Sequence, residues 1–257
     1  MASSDSALPG GLPAEAGRHR APKASDVLAD RLRARILGDA MRPGDPLPSE
    51  ADLISVHGFS RGTVREALRL LEADGLIEIK RGPKGGIRVR HPDLSQVGRS
   101  LALLLTVAES STRSFLEFRK LVEPAAAAAA ARTATTQQRE WLLRIAEEAP
   151  EGGTGLGRSV AFHEALGVCS NNEFLRVVIA ALSQELAWHT SGEQLALAHL
   201  EHMGRAHRKI ARAVMAGDSV GAERATLHHL ERFERILDGQ GRLDQPVMPR
   251  SWWRSRS

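Results

Sequence analysis

Apolar positions in the first third of the chain recur at helical spacing. Val27, Leu28, Leu32, Ile36 and Leu37 predict a helix capped by Ser25 and ended by Gly38. Arg42-Pro43-Gly44-Asp45-Pro46-Leu47-Pro48 follows, a proline-stiffened turn with no room for a helix. Ser49 opens a second helix, with Asp52 as a weak capping-box acid, and His57-Gly58 closes it. Ser60 caps a third helix, Arg61 to Asp74, with Val64, Ala67, Leu68 and Leu71 on one face and Gly75 at its end. Leu76 to Lys80 and Gly86 to Arg90 then alternate apolar with polar residues around Arg81-Gly82-Pro83-Lys84-Gly85, the pattern of a β-hairpin.

Beyond a linker at residues 91–97 the period stays helical. Segments near 98–107, 112–132, 136–148, 158–169, 171–190, 193–216 and 218–238 carry it, with no strand signal. Seven alanines, Ala125 to Ala131, read as close helix packing, since alanine is the best helix former. Ala149 to Gly157 reads as a flexible loop, and residues 1–23 as a disordered tail. The expected fold is mainly α: a winged helix-turn-helix at 24–91, an all-helical bundle at 98–238, and a tail at 239–257.

Composition narrows the class. The chain has 257 residues and a formal charge of +4, and 30 of its 35 basic residues are arginine. A single cysteine, Cys169, excludes an internal disulfide and reads as a small buried hydrophobe. No apolar run approaches the ~18 residues of a membrane span, and residues 1–21 lack the apolar core of a signal peptide. A soluble, cytoplasmic protein is expected. The charge is uneven: residues 60–90 hold 8 basic and 4 acidic groups, whereas residues 92–247 hold 17 and 19. A basic block joined to a mildly acidic one suits a chain of which one part meets phosphate.

The order helix, helix, helix, hairpin is that of a winged helix-turn-helix. Its recognition helix enters the major groove of double-stranded DNA and reads bases with its first turn. That turn is Ser60-Arg61-Gly62-Thr63-Val64-Arg65. Arg61 and Arg65, at i and i+4, share a face and can grip guanine or phosphate. Gly62 lets the backbone approach DNA, and the hairpin tip with Lys84 is basic. Leu47-Pro48-Ser49-Glu50, Ser60-Arg61-Gly62-Thr63-Val64-Arg65-Glu66-Ala67-Leu68 and Leu71-Glu72-Ala73-Asp74-Gly75-Leu76-Ile77 together resemble the GntR family of bacterial transcription regulators. The resemblance implies DNA contacts at Ser60, Arg61, Thr63 and Arg65, and at Arg81 and Gly82 on the wing. Ala51 stands where that family often has a DNA-touching arginine, which implies one contact fewer.

In the helical block the histidines carry the candidate chemistry. Neutral imidazoles from three helices can converge on a metal, although each histidine alone reads as readily as surface or core. Phe115-Leu116-Glu117-Phe118-Arg119 through Glu123-Pro124-Ala125, then Phe162-His163, Ser170-Asn171-Asn172, Met215-Ala216-Gly217-Asp218 and His229, resemble the FCD ligand-binding domain of the FadR-type branch. Many members of that branch bind a divalent metal with one aspartate and three histidines. The resemblance places the histidines at His163, His207 and His229 and a carboxylate-pairing arginine at Arg119. Ser159 stands in place of the aspartate. A hydroxyl is a poor ligand for such a dication, which leaves two options: zinc or nickel on three histidines, or an anionic effector held directly. For Arg119 the alternative is a surface pair with Glu123, or packing on Phe115.

The sequence thus points to a homodimeric repressor or activator, not an enzyme. It would bind a palindromic operator and respond to a small, carboxylate-bearing effector, since one short helix reads too few bases alone. The competing class is a three-histidine metalloenzyme.

Overall fold

A computed structural model describes residues 22–80, 82, 85–147, 156–182 and 197–254. Residues 1–21 of the expected tail, the hairpin-tip residues Arg81, Pro83 and Lys84, most of the loop at 149–157 and the ends of three expected helices fall outside these residues. Backbone contacts divide the chain into two units between Pro92 and Asp93.

The first unit runs α1 (Ala24–Gly38), α2 (Glu50–His57), α3 (Arg61–Ala73), β1 (Ile77–Lys80) and β2 (Gly86–Val89). Its core joins Leu28, Leu32 and Ile36 of α1 to Leu53 of α2, Leu68 and Leu71 of α3, and the sheet. The apolar stripes seen in the sequence are therefore one contiguous interior. Two expectations for α1 need correction. Lys23, not Ser25, occupies the cap and offers no side-chain bond, while Ser25 is buried inside the helix. Leu37, taken as part of the stripe, is 66% exposed, because it falls past the last turn that packs.

The other caps form from the residues expected. Ser49 and Asp52 make a reciprocal capping box, and Gly58 ends α2 in the left-handed region at φ +67°. Ser60 Oγ accepts from the Thr63 amide at 3.1 Å. The hairpin pairs Ile77 with Val89 and Lys80 with Gly86, antiparallel. The proline-stiffened turn does more than connect. The Gly44 and Leu47 amides donate to Val89 and Ile87, and Asp45 O accepts from Val89, so the turn docks on the outer edge of β2.

The second unit runs α4 (Leu94–Val107), α5 (Thr112–Thr133), α6 (Thr136–Glu147), α7 (Leu156–Cys169), α8 (Glu173–Ala181), α9 (Leu197–Met215), α10 (Ser219–Gly239) and α11 (Arg250–Arg254). Leu94 to Val97, expected in a linker, already belongs to α4. The 22-residue α5 is the spine and packs against α7, α8, α9 and α10. Five of its alanines, Ala126, Ala127, Ala128, Ala130 and Ala131, are buried there, because only a methyl lets neighbouring helices come so close. Pro124 sits mid-helix and removes one i→i−4 bond. The segment expected as a tail from residue 239 is packed instead: Leu243, Val247, Met248 and Trp252 are buried.

Leu71 is fully buried at the centre of the first core. Leu71→Ala should therefore cost about 2–5 kcal/mol in chemical denaturation. Leu37→Ala should stay within about 0.5 kcal/mol, as at other exposed positions. Equal losses for the two would contradict this core.

Candidate functional site

Two sites take shape, one in each unit. In the first, Ser60 starts α3 and fixes its opening turn, with Ser60 Oγ 2.9 Å from Thr63 Oγ1. Arg61, Gly62 and Arg65 are exposed along that turn, opposite buried Val64, Ala67 and Leu68. Arg65 Nε lies 3.4 Å from Glu50 Oε2 of α2, a solvated pair worth little in stability. A Cβ on Gly62 would meet nothing closer than Ser60 Oγ at 3.8 Å, so packing within this chain does not require glycine there. Gly82 adopts φ +106°, a backbone that favours glycine at the hairpin tip.

In the second unit four helices converge on a buried polar cluster. His163 comes from α7, His207 from α9 and His229 from α10, with one nitrogen of each within 4.8 Å of the others. His207 Nε2 and His229 Nε2 are 3.3 Å apart. Phe162 stacks on His207 at 4.2 Å between centroids and sets its plane. From α5, Glu123 Oε2 lies 2.7 Å from His163 Nδ1, and Arg119 Nε and Nη2 donate to both oxygens of Glu123 at 2.5 and 3.2 Å. The Arg119–Glu123 pair weighed as a surface contact does form, but both side chains are buried. The guanidinium also lies 5.7 Å from the centroid of the Phe115 ring.

The protonation pattern follows from this geometry. Burial alone would raise the Glu123 carboxyl. The charges of Arg119 and His163, and their hydrogen bonds, outweigh burial and hold it well below the usual carboxylate range. An ionised carboxylate only accepts, so His163 Nδ1 is the donor. Arg119 Nη2 is nearly equidistant from the two ring nitrogens, at 3.5 and 3.3 Å. Burial first, then the neighbouring positive groups, push His207 and His229 well below the ordinary value of 6.5 and keep both neutral.

The donor set suits a borderline dication. Two nitrogens about 2.0–2.1 Å from a tetrahedral centre sit about 3.4 Å apart, close to the 3.3 Å between His207 and His229. Ser159, four residues before His163, is buried and its Oγ has no hydrogen-bond partner. Glu123 was the member the sequence reading passed over. Its i+4 spacing from Arg119 was visible, but the contact with His163 comes from another helix. Cys169 is buried, and burial pushes its thiol up to about 11, so it is inert as a nucleophile.

The family described as "Bacterial regulatory proteins, gntR family" matches residues 24–89, and the FCD domain matches residues 114–232. Over 209 residues the chain is 32% identical to the HTH-type transcriptional regulator LutR of Bacillus subtilis, covering 77% of this chain and 94% of that protein. The chain belongs to the GntR family. It is also 29% identical over 214 residues to the putative L-lactate dehydrogenase operon regulatory protein of Escherichia coli, covering 80% and 83% of the two chains. The structure of a GntR protein from Streptococcus agalactiae matches with a TM-score of 0.63 at 26% identity, covering 82% of this chain and 99% of that one. This chain is thus a transcription regulator of the GntR/FCD type. The families and relatives it matches are regulators, not enzymes, which sets the metalloenzyme reading aside. Among the described residues no helix is long and apolar enough to cross a membrane.

The buried imidazoles make stability pH-dependent. Below about pH 6.5 the unfolded chain protonates two histidines that the fold keeps neutral, so stability falls as the solution becomes more acid. The slope should approach about 1.4 kcal/mol per pH unit for each imidazole. Glu123 adds its own loss only as pH drops below its ordinary 4.5. Denaturation of chelator-treated protein between about pH 7.5 and 5 measures this, and a flat profile would exclude buried neutral imidazoles.

Proposed function

We propose that the protein is a cytoplasmic, homodimeric regulator that binds a palindromic operator and responds to a small carboxylate effector. The observation that carries this reading is the buried Arg119–Glu123–His163 cluster, in a chain whose other unit exposes Arg61 and Arg65 on the first turn of a capped recognition helix. A bidentate guanidinium is the natural partner of a carboxylate.

On the DNA side, Ser60, Arg61, Gly62, Thr63 and Arg65 would face the major groove, with Arg81, Gly82 and Lys84 at the wing. Arg65 would exchange its weak pair with Glu50 for phosphate or guanine. Two copies of α3 would read two half-sites, matching a two-fold operator.

On the effector side, Arg119 would hold the carboxylate. His163, His207 and His229 would hold zinc or nickel, and the ion would add a Lewis-acidic anchor for an oxygen of the effector. Glu123, bonded to Nδ1 of His163, would fix the tautomer that presents Nε2, the usual role of a carboxylate behind a ligating histidine. Ser159 supplies no charge to such a site, so nitrogen-preferring ions are favoured over magnesium or calcium. The name of the Escherichia coli relative makes L-lactate the first acid to test.

Arg65→Ala should weaken binding to the gene's own upstream DNA by about ten- to a hundredfold, with helix content unchanged. Retained specific binding would sink the recognition-helix assignment. Elemental analysis should find on the order of one zinc or nickel per chain, lost in His207→Ala. Less than about a tenth of an equivalent, with no uptake on adding either ion, would remove the metal.

A further inference from the structure

The segment after α10, Leu243–Arg254, lies outside the matched FCD range, yet it is built into the second unit. Its backbone ties down the corner between α4 and α5. Arg113 N donates to Leu243 O at 2.8 Å, Thr112 N to Gln245 O at 2.9 Å, and Val247 N to Ser110 O at 2.7 Å. The first two satisfy donors that a helix start leaves unpaired. Trp253 Nε1 donates to Thr106 Oγ1 of α4 at 3.0 Å. Val247, Met248 and Trp252 form one apolar cluster with Ala102 and Phe115, against which Leu105, Leu182 and Trp253 pack.

Phe115 and Leu182 also belong to a second feature. They line a small cavity with Arg119, Glu123, His163 and Ile179. Its volume is about 10 Å³, room for roughly one water. A carboxylate is larger than a water, so the cavity must widen to admit one. Its polar side is braced, because Glu123 is tied to Arg119 and His163 in a buried network whose rupture leaves a buried charge unpaired. The apolar side, made by Phe115, Val122, Ile179 and Leu182, carries no such buried ion-pair network and is held chiefly by dispersion contacts, each individually shallow. Widening therefore falls on the apolar side, and two of its members, Phe115 and Leu182, pack with the tryptophan pair.

We propose that Leu243–Arg254 forms the outer wall of the Arg119 cavity and that Trp252 and Trp253 are positioning residues for the effector. The inference rests on the reading of Arg119 as the effector's partner. A ligand entering beside Arg119 presses Phe115 and Leu182 onto the tryptophans. The same cluster includes Ala102 and Leu105 of α4, and α4 begins directly after the winged-helix unit ends at Pro92. On its other flank α4 is tight against α8: a Cβ on Gly98 would come within 2.9 Å of Ala181 O. Displacement of the wall is thus delivered to the helix that leads to the DNA reader.

The test uses the full chain and two probes, sodium L-lactate and sodium acetate, titrated by calorimetry with and without bound upstream DNA. Trp252→Ala should weaken carboxylate binding by about tenfold or more. Trp252→Phe should restore most of it. Operator affinity without acid and zinc uptake at the histidines should stay within about twofold of the parent, a split that general destabilisation would not give. Trp253→Phe keeps an aromatic ring at that position and deletes only the bond to Thr106. It should leave carboxylate affinity near the parent value while reducing the change in DNA affinity that the acid produces. A parent chain that binds acid and variants that bind and respond like it would overturn this inference alone. A parent chain indifferent to both acids would overturn the effector reading and this inference with it.

Discussion

One buried carboxylate organises the second unit. Glu123 accepts from Arg119 and from His163 Nδ1 while shut away from water. An isolated ionised carboxylate there would be prohibitively costly, so the fold must supply both partners together. That requirement fixes the register of α5 against α7. It orients one histidine of the trio and holds Arg119 in the lining of the small cavity. Removing either partner would strand a charge rather than merely delete a contact.

The rest of the scaffold serves this placement. The alanine run of α5 lets α7, α9 and α10 approach closely enough for three imidazoles to share a space of a few ångströms. Phe162 fills one side and holds His207 in plane. The segment after α10 caps the start of α5 and backs Phe115, two turns below Glu123. The site therefore rests on one helix, held at its N-terminus by hydrogen bonds and along its length by methyl packing.

Arginine does opposite work in the two units. Arg61 and Arg65 remain solvated, so their exposure costs little folding energy, and any contact with phosphate would depend on salt. Arg119 is desolvated and already paired, so its fork is held in one fixed orientation. Lysine, a point charge on a flexible stem, would do neither task in the same way, in keeping with a chain that has only five.

Much was legible in order and spacing. The three helices and hairpin, the caps at Ser49 and Ser60, and the apolar faces of α3 follow from local rules of period and hydrogen bonding, which need no knowledge of distant residues. The histidine trio was legible only through resemblance to a family, because residues 163, 207 and 229 share no local pattern. What the tertiary structure alone decided is different in kind. Burial turned Arg119–Glu123 from a surface pair into the anchor of a site, and the contact with His163 made Glu123 part of it. Packing likewise turned an expected tail into part of an apolar core with Ala102 and Phe115. Desolvation and long-range contact set those outcomes, and neither is written in the spacing of residues along a chain.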